Sequence, residues 1–263
     1  MSRLAPVFEQ CRAEHRAALL GYLPAGYPTV EGSKETLRTM IDAGCDVVEI
    51  GLPFSDPVMD GPTIQVAAEQ ALSAGFRVRD LFGVVESVAS AGGKAVVMTY
   101  WNPILRYGVD KFARDLAAAG GLGLITPDLV PDEAADWIAA STEHDLDRTF
   151  LVAPSSTEER IDLTARSSRG FLYATSVMGV TGARDVVSNL APALVKRVRE
   201  HTDMPVGVGL GVRSGAQAAE LAAYADGVIV GSAFVTAAAE SPAAVRALAE
   251  DLATGVRSAV APA

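Results

Sequence analysis

Glu49 is the residue whose surroundings most suggest chemistry. It lies inside the apolar run 47–51 (VVEIG), which predicts a buried β-strand. Burying a charged carboxylate is costly unless a partner or a functional need compensates. The residues alone leave two interpretations open: Glu49 pairs with a lysine or arginine on a neighbouring strand, or it transfers protons during catalysis.

The segment that follows, residues 52–62, adds two carboxylates, Asp56 and Asp60, and three prolines. Prolines stiffen the backbone, and a stiff acidic loop after a strand suits a lid that closes over a substrate. Asp56 stands before Pro57, which is typical of a turn residue whose side chain bonds its own backbone, and we favour that interpretation. Asp60 stands before Gly61 and fits a turn residue or a catalytic group equally well.

Glycine-rich segments late in the chain suggest an anion site. They are 179–182 (GVTG), 207–211 (GVGLG) and the pair Gly231-Ser232. Glycines let backbone N–H groups approach an anion, and a helix that begins there adds its positive end. In α/β barrels the loops after the seventh and eighth strands commonly hold a phosphate in this way. A dinucleotide-binding fingerprint is excluded because Val212 stands where its third glycine would have to be.

Eight short apolar runs alternate with longer amphipathic segments, and these elements must position the candidate residues. The runs are Ala18–Tyr22, Asp46–Ile50, Ala95–Thr99, Gly123–Thr126, Thr149–Ala153, Phe171–Thr175, Val206–Leu210 and Gly227–Val230. None alternates strictly between apolar and polar residues, so each is predicted to be a parallel strand buried on both faces. Such strands, each followed by a helix over about 250 residues, predict a (β/α)8 TIM barrel. A doubly wound open sheet is the alternative, because periodicity cannot show whether a sheet closes.

We expect a single domain over residues 1–263, since no proline-rich linker or charge run divides the chain. Extra helices are predicted at the N-terminus and after the second strand, where Thr63–Ala74 and Val78–Ala91 share one crossover. Polar and aromatic side chains near other strand ends fit core packing as well as a site. They are Tyr100, Trp101 and Asn102 after the third strand, Asp128 after the fourth, and Tyr173 on the sixth, whose hydroxyl could reach the central carboxylate.

Composition argues against several classes of function. The 22 Lys+Arg and 32 Asp+Glu residues give a net charge of −10, which disfavours a nucleic-acid groove or an anionic membrane surface. No apolar run approaches the roughly 18 residues of a membrane span, and the first residues lack a secretory signal. We therefore expect a soluble cytoplasmic protein.

The cysteines and histidines do not suggest a metal site. Cys11 and Cys45 are expected to be buried thiols. His15, His144 and His201 fall on predicted helices without the spacing of metal ligands, so no metal site is expected.

The segment 49–65 (EIGLPFSDPVMDGPTIQ) resembles the signature of the tryptophan synthase alpha subunit family around its two catalytic carboxylates. Shorter segments, in the same order, extend the resemblance over nearly the whole chain: PAG at 24–26, YWNP at 100–103, PDL at 127–129, GVTG at 179–182, GLGV at 209–212 and VGS at 230–232. The resemblance implies a TIM barrel that cleaves indole-3-glycerol phosphate into indole and glyceraldehyde 3-phosphate. It also implies an α2β2 heterotetramer, in which indole passes through a tunnel to a beta subunit that carries pyridoxal phosphate, and no cofactor in the alpha chain itself.

The resemblance also assigns residues by position. It implies that Glu49 is the main acid/base, that Asp60 lies by the indole nitrogen and that Tyr173 neighbours both. The implied phosphate-binding residues are Gly182, Gly211, Gly231 and Ser232, and the implied indole-pocket residues are Tyr22, Met98, Tyr100, Ile125 and Thr181. At Val177 the family often has arginine, a departure that concerns closure of the loop after the sixth strand.

The chemistry of that reaction fits the two carboxylates. Cleavage requires a proton on C3 of the indole and then a base for the adjacent hydroxyl, and Glu49 on a rigid strand can supply both. Asp60 can stabilise the positive charge that develops at the ring nitrogen and later remove its proton. Two carboxylates in different environments can divide such roles, and no metal or redox cofactor is required.

Other functions stay open at this point. The chain could be a stand-alone lyase that releases free indole, an inactive barrel that only activates a partner, or another phosphate-binding barrel such as an isomerase of the histidine or tryptophan pathway. The pair Glu49 and Asp60 argues against the last two. If a beta subunit docks, we expect it to face the region Pro53–Asp60 and the neighbouring loop Trp101–Arg106.

Overall fold

The fold is a ring of parallel strands surrounded by helices. The computed structural model describes residues 2–175, 190–209 and 211–258. The strands, numbered along the chain, are β1 (Ala18–Pro24), β2 (Val47–Gly51), β3 (Ala95–Met98), β4 (Gly123–Ile125), β5 (Asp147–Thr149), β6 (Leu151–Val152), β7 (Leu172–Thr175), β8 (Val206–Gly209) and β9 (Gly227–Val230). They pair in parallel in the order β5-β4-β3-β2-β1-β9-β8-β7-β6.

The two strands at the ends of that order close the ring. β5 and β6 are two parts of one continuous segment, separated only by Phe150. The carbonyl of Phe150 accepts a hydrogen bond from the backbone N–H of Tyr173 at 3.2 Å, so pairing to the next strand continues through the break. The sheet is therefore the predicted TIM barrel, with the predicted fifth strand split in two, and the open-sheet alternative is wrong.

Helices cover the outside of the barrel. Those in the described residues are α1 (Ala5–Ala13), α2 (Val30–Asp42), α3 (Pro62–Ser73), α4 (Val78–Ser90), α5 (Trp101–Tyr107), α6 (Val109–Ala118), α7 (Ala135–Glu143), α8 (Glu158–Ser167), α9 (Leu190–Arg199), α10 (Gly215–Ala222), α11 (Ser232–Glu240) and α12 (Pro242–Ser258), with a 3-10 turn at Pro131–Glu133. Several begin as the sequence predicts, because a hydroxyl accepts a hydrogen bond from a free amide of the first turn. Thr29, Thr157 and Ser214 cap α2, α8 and α10 in this way.

Alternate residues of each strand supply two separate apolar layers. One buried cluster joins inward-facing strand residues such as Leu20, Val96 and Ile229 inside the barrel. The other joins outward-facing residues such as Val48 and Val97 to the helices. Most strands are buried on both faces and are almost continuously apolar, as the sequence pattern predicts, whereas β5 consists of polar residues.

Helix α1 closes the amino-terminal end of the barrel. The ring of Phe8 lies 5.8 Å from that of Phe171, centroid to centroid. The buried side chain of Asp147, at the start of β5, accepts a hydrogen bond from the backbone N–H of Leu4 at 2.8 Å and pairs with Arg169 Nε at 3.0 Å. In TIM barrels the site lies at the opposite end, where the strands have their carboxyl ends.

The prediction of a loop at Trp101–Arg106 is wrong, because these residues form most of helix α5. The signal that was missed lies in another part of the chain. Both carboxylate oxygens of Asp128 accept hydrogen bonds from the backbone N–H of Trp101, at 2.9 and 3.1 Å. A cap supplied from after a different strand cannot be recognised from local sequence.

The histidines also differ from expectation, since all three lie just beyond a helix. His15 follows α1 in the left-handed region, with a φ of +54°, while His144 directly follows α7 and His201 follows α9. Cys11 and Cys45 are buried and unpaired, as expected. Burial raises the pKa of the Cys11 thiol to about 12. Within the described ranges, no helix has the length and apolar character needed to cross a membrane.

Candidate active site

Glu49 lies inside the barrel near the carboxyl end of β2. It is 1% exposed, and the strand register places it between Tyr22 of β1 and Val96 of β3. Its Oε1 atom has no hydrogen-bond partner among the described residues. Burial raises the pKa of this carboxyl to about 8, because charge is disfavoured away from water. The described residues give Glu49 no cationic partner, so they support the proton-transfer interpretation over the ion-pair one.

Two tyrosines approach Glu49 from different walls of the barrel. Tyr22 lies beside it on β1, whereas Tyr173 is on β7, four strand positions from β2 in either direction around the ring. Burial raises the pKa of both phenols well above the ordinary value, and the nearby carboxylates of Asp60 and Glu49 raise them further. The four groups therefore lie within electrostatic reach of one another, and both tyrosines stay neutral.

Glycines on the adjacent strands make room for these phenols. A Cβ atom at Gly209 would clash with the Tyr173 hydroxyl oxygen and lie 3.1 Å from Tyr173 Cζ. A Cβ atom at Gly51 would clash with the Tyr22 hydroxyl and lie 2.6 Å from Tyr22 Cζ. Each tyrosine ring therefore leans over a position where any side chain larger than hydrogen would displace it.

Asp60 lies in the loop between β2 and α3 and is half-buried. Burial raises the pKa of its carboxyl, and a hydrogen bond from Tyr100 opposes that effect. The Tyr100 hydroxyl also accepts a hydrogen bond from the backbone N–H of Met59 at 3.0 Å. The loop that carries Asp60 is therefore tied to the end of β3.

The residues expected to line an indole pocket lie near this group where the structure describes them. Met98 and Ile125 are register partners on β3 and β4, and both belong to the apolar cluster inside the barrel. Tyr22 and Tyr100 are buried. Thr181 lies outside the described residues.

Part of the expected phosphate site is described. Gly211 has a φ of +67°, in the left-handed region that favours glycine. Gly231 stands at the start of α11, where no side chain caps the helix and the first turn carries no acidic residue. The Ser232 N–H, at the first position of the helix, is therefore available to an anion, whereas the Phe234 N–H already donates to the Gly231 carbonyl at 2.9 Å. Gly182, like Val177, lies outside the described residues.

Asp56 contributes nothing visible to the site. It is exposed and accepts a hydrogen bond from Ser55 Oγ at 2.6 Å, so it bonds a neighbouring side chain rather than its own backbone. Elsewhere, Asp110, Glu143 and His144 bring three possible metal-ligand atoms together, within the described part of the chain. His144 already shares a hydrogen bond with Asp110 at 2.9 Å.

Comparison with known proteins decides the family. The family model described as "Tryptophan synthase alpha chain" matches residues 8–261. The chain is 69% identical over 258 residues to the tryptophan synthase alpha chain of Nocardia farcinica, covering 98% of this chain and 97% of that one. It is 66% identical over 256 residues to the protein of the same name from Mycobacterium tuberculosis, covering 97% and 95%.

This chain belongs to the tryptophan synthase alpha chain family. The structural similarity agrees with the sequence similarity. A chain in a structure of Mycobacterium tuberculosis tryptophan synthase superposes with a TM-score of 0.95 at 65% identity, covering 97% of this chain and 98% of that chain. A tryptophan synthase alpha chain from Legionella pneumophila gives 0.88 at 30% identity, covering 97% of each chain. The barrel of the alpha chain family therefore persists across large sequence differences.

Three features of this alpha chain were missed by the sequence analysis. They are the space left by Gly51 and Gly209 for the tyrosines, the bond from Met59 to Tyr100, and the capping of α5 by Asp128. All three join residues on different strands or loops. The glycines that end β2 and β8 are a signal in the sequence, but the local sequence does not indicate which side chain fills the space beside each of them.

Proposed function

We propose that this chain cleaves indole-3-glycerol phosphate by a retro-aldol reaction to indole and glyceraldehyde 3-phosphate. The observation that carries the proposal is Glu49, a buried carboxyl whose Oε1 atom has no hydrogen-bond partner among the described residues and whose pKa is raised to about 8. At neutral pH this group holds a proton that it can give away. A buried, uncompensated carboxyl costs stability, and catalysis supplies the reason for keeping it.

Glu49 acts twice in the proposed reaction. Its proton moves to C3 of the indole, which turns the ring into an electron acceptor with positive charge at the nitrogen. The resulting carboxylate removes the proton of the hydroxyl on the adjacent carbon. The carbon–carbon bond then breaks, its electron pair neutralises the ring, and the hydroxyl carbon becomes the aldehyde, so Glu49 ends protonated as it began.

Asp60 stabilises the charge at the ring nitrogen while it exists. A carboxylate that is half-buried interacts more strongly with that charge than one in water. Tyr173, kept neutral by burial, provides a hydrogen-bond donor beside Glu49. The first turn of α11 and the backbone at Gly211 would hold the substrate phosphate, together with Gly182, and Thr181 would join the indole pocket.

The direct test compares the wild-type chain with Glu49→Gln. The variant keeps the size of the side chain but cannot donate a proton, so we expect indole release to fall by about 10³-fold or more. Substrate binding, measured by calorimetry with the glycerol phosphate ester, should stay within about threefold. Substantial turnover by Glu49→Gln would contradict the assigned role, and no turnover by wild type under any condition would contradict the reaction.

We further propose that the chain needs no cofactor of its own and docks on a beta subunit holding pyridoxal phosphate, in an α2β2 assembly. The positions of the exposed large apolar side chains among the described residues support a docking face at one end of the barrel. All follow the carboxyl ends of strands, at the site end of the barrel: Val58, Val66, Leu105, Val130 and Leu190. Val58 lies in the region Pro53–Asp60, and Leu105 lies on helix α5.

The docking proposal is tested by adding a tryptophan synthase beta subunit to the purified chain. We expect indole release to accelerate by at least tenfold. Leu105→Asp should weaken that acceleration, because it buries a charge in the contact, while the rate of the chain alone stays unchanged. Ala247→Asp adds the same charge at an exposed position of α12 and should leave the acceleration intact. Fast turnover alone, with no effect of the beta subunit, would favour a stand-alone lyase.

A further inference from the structure

Tyr100 lies where the loop carrying Asp60 meets the end of β3. We propose that Tyr100 is a positioning residue, whose hydroxyl donates a hydrogen bond that orients the Asp60 carboxylate. This role goes beyond lining a pocket with an aromatic ring, and it rests on the proposed function.

The direction of the hydrogen bonds follows from what each group can do. The backbone N–H of Met59 can only donate, and it donates to the Tyr100 hydroxyl oxygen at 3.0 Å. That bond uses a lone pair of the oxygen and leaves the phenol proton free for another acceptor. The Asp60 carboxylate, on the next residue, is the acceptor that interacts with this hydroxyl. One phenol therefore holds two consecutive residues of the loop.

The phenol is itself held from several directions. Tyr100 is buried, and its ring lies 5.3 Å from that of Phe54, centroid to centroid. The next backbone N–H, that of Trp101, donates to both carboxylate oxygens of Asp128 at 2.9 and 3.1 Å. A phenol held this rigidly can fix the orientation of a side chain on a neighbouring loop. A loop without such support positions its side chains less precisely.

The electrostatics are consistent with this direction of donation. Burial raises the pKa of Tyr100 to about 12, so the phenol keeps its proton. Burial also raises the pKa of Asp60, and the hydrogen bond from Tyr100 lowers it. Among the residues that the structure describes, the other titratable groups facing Asp60 are Glu49, Tyr22 and Tyr173, which are neutral at pH 7. Tyr100 is thus the described side chain that favours the charged form of Asp60.

The test is the pH dependence of indole release by Tyr100→Phe, which keeps the ring and removes the hydroxyl. We expect the acid limb of kcat/KM to move up by about one pH unit, because a hydrogen bond to a carboxylate is lost, and the loss of kcat/KM to approach about tenfold on the acid side of both limbs. The loss should shrink as pH rises and Asp60 ionises again. A loss of equal size at every pH, with an unmoved acid limb, would overturn the proposal.

Tyr107→Phe is the matched control. It removes a 2.7 Å hydrogen bond from a tyrosine to a carboxylate, that of Asp115, away from the site. We expect the pH profile of this variant to match that of wild type. An equal shift in both variants would overturn the proposal.

A second readout does not depend on turnover. Asp60 can be titrated by carbon NMR of its carboxyl group in wild type and in Tyr100→Phe. A higher pKa in the variant supports the positioning role, and an unchanged pKa overturns it. If wild type releases no indole, the proposed reaction fails, yet the NMR result still decides whether Tyr100 controls Asp60.

Discussion

At the scale of single residues, burial sets the chemistry of the site. Glu49 and Asp60 are both carboxylic acids, but Glu49 is 1% exposed and Asp60 is half-buried in a loop. Desolvation alone raises the pKa of Glu49 to about 8, while Tyr100 partly offsets the effect of burial on Asp60. Glu49 is therefore the group that keeps a proton at neutral pH, while the hydrogen bond from Tyr100 favours the charged form of Asp60, a division that two chemically similar side chains can reach only through different surroundings.

This division predicts a bell-shaped dependence of kcat/KM on pH. Activity should fall above a pH of about 8, where Glu49 loses the proton that it must donate. It should also fall at low pH, where Asp60 gains a proton and can no longer stabilise positive charge, with a midpoint above the ordinary aspartate pKa of about 3.9. Initial rates of indole release between pH 4 and 10 measure both limbs.

Asp56→Asn is the control for that profile, since it removes an exposed carboxylate from the same loop. Both limbs should stay in place. Activity that keeps rising through pH 9 would contradict Glu49 as the proton donor.

At the scale of elements, a glycine on one strand leaves space for a large side chain of the neighbouring strand. The inward positions Gly209 on β8 and Gly51 on β2 leave space that Tyr173 and Tyr22 occupy. The register pairs Thr175 with Gly209 and Pro24 with Gly51, so each tyrosine leans toward the glycine two residues further along. Replacing either glycine would therefore move a phenol that faces Glu49.

We predict that Gly209→Ala lowers the free energy of unfolding by about 1–3 kcal/mol, because the added methyl group overpacks the barrel. It should also slow indole release by displacing Tyr173. Tyr173→Phe should restore part of the stability of Gly209→Ala, because the phenol oxygen is the atom in severe contact and the nearest ring carbons lie at 3.1 and 3.2 Å. Urea unfolding of the two single variants and the double variant measures this coupling.

The corresponding pair on the other wall should behave differently. At Gly51 the added methyl group would meet ring carbons of Tyr22 at 2.6 and 2.7 Å as well as the hydroxyl. Tyr22→Phe should therefore fail to rescue Gly51→Ala. Rescue of both pairs, or of neither, would show that contact with the phenol oxygen is not what decides the cost.

At the scale of the whole molecule, the two ends of the barrel have separate tasks. The amino-terminal end is closed by α1 and anchored by Asp147, which accepts hydrogen bonds from Leu4 N–H and Ser2 Oγ, each at 2.8 Å. The opposite end carries Glu49 and its neighbours. Substitutions at the anchored end should therefore change stability without changing catalysis.

We predict that Asp147→Asn lowers the free energy of unfolding by about 2–3 kcal/mol, because it removes the buried charge that pairs with Arg169. The control is Asp145→Asn, since Asp145 pairs with the same arginine but is exposed, and its loss should cost about 0.5 kcal/mol or less. Denaturant unfolding measures both values. Equal costs, or a large loss of activity per folded molecule in Asp147→Asn, would contradict the separation of the two ends.

The sequence by itself determined the order and type of most elements, the family and the identity of the candidate carboxylates. Continuous apolar runs, helix caps such as Thr29 and Thr157, and the 49–65 segment are local signals, and each was sufficient because neighbours along the chain define it. The single domain over 1–263, the cytoplasmic location and the roles of the site residues stay predictions. The family assignment is confirmed by the comparisons.

Only the tertiary structure decided the features that join distant segments. These features bring together residues far apart in the chain. They are the closure of the barrel at Phe150, the capping of α5 by Asp128, the hydrogen bond from Met59 to the Tyr100 hydroxyl, and the spaces at Gly51 and Gly209. The pKa of Glu49 belongs to the same group, because desolvation depends on every atom packed around a carboxyl. Local sequence specifies the backbone path of each element, whereas packing between elements sets the environment in which a side chain becomes an acid or a base.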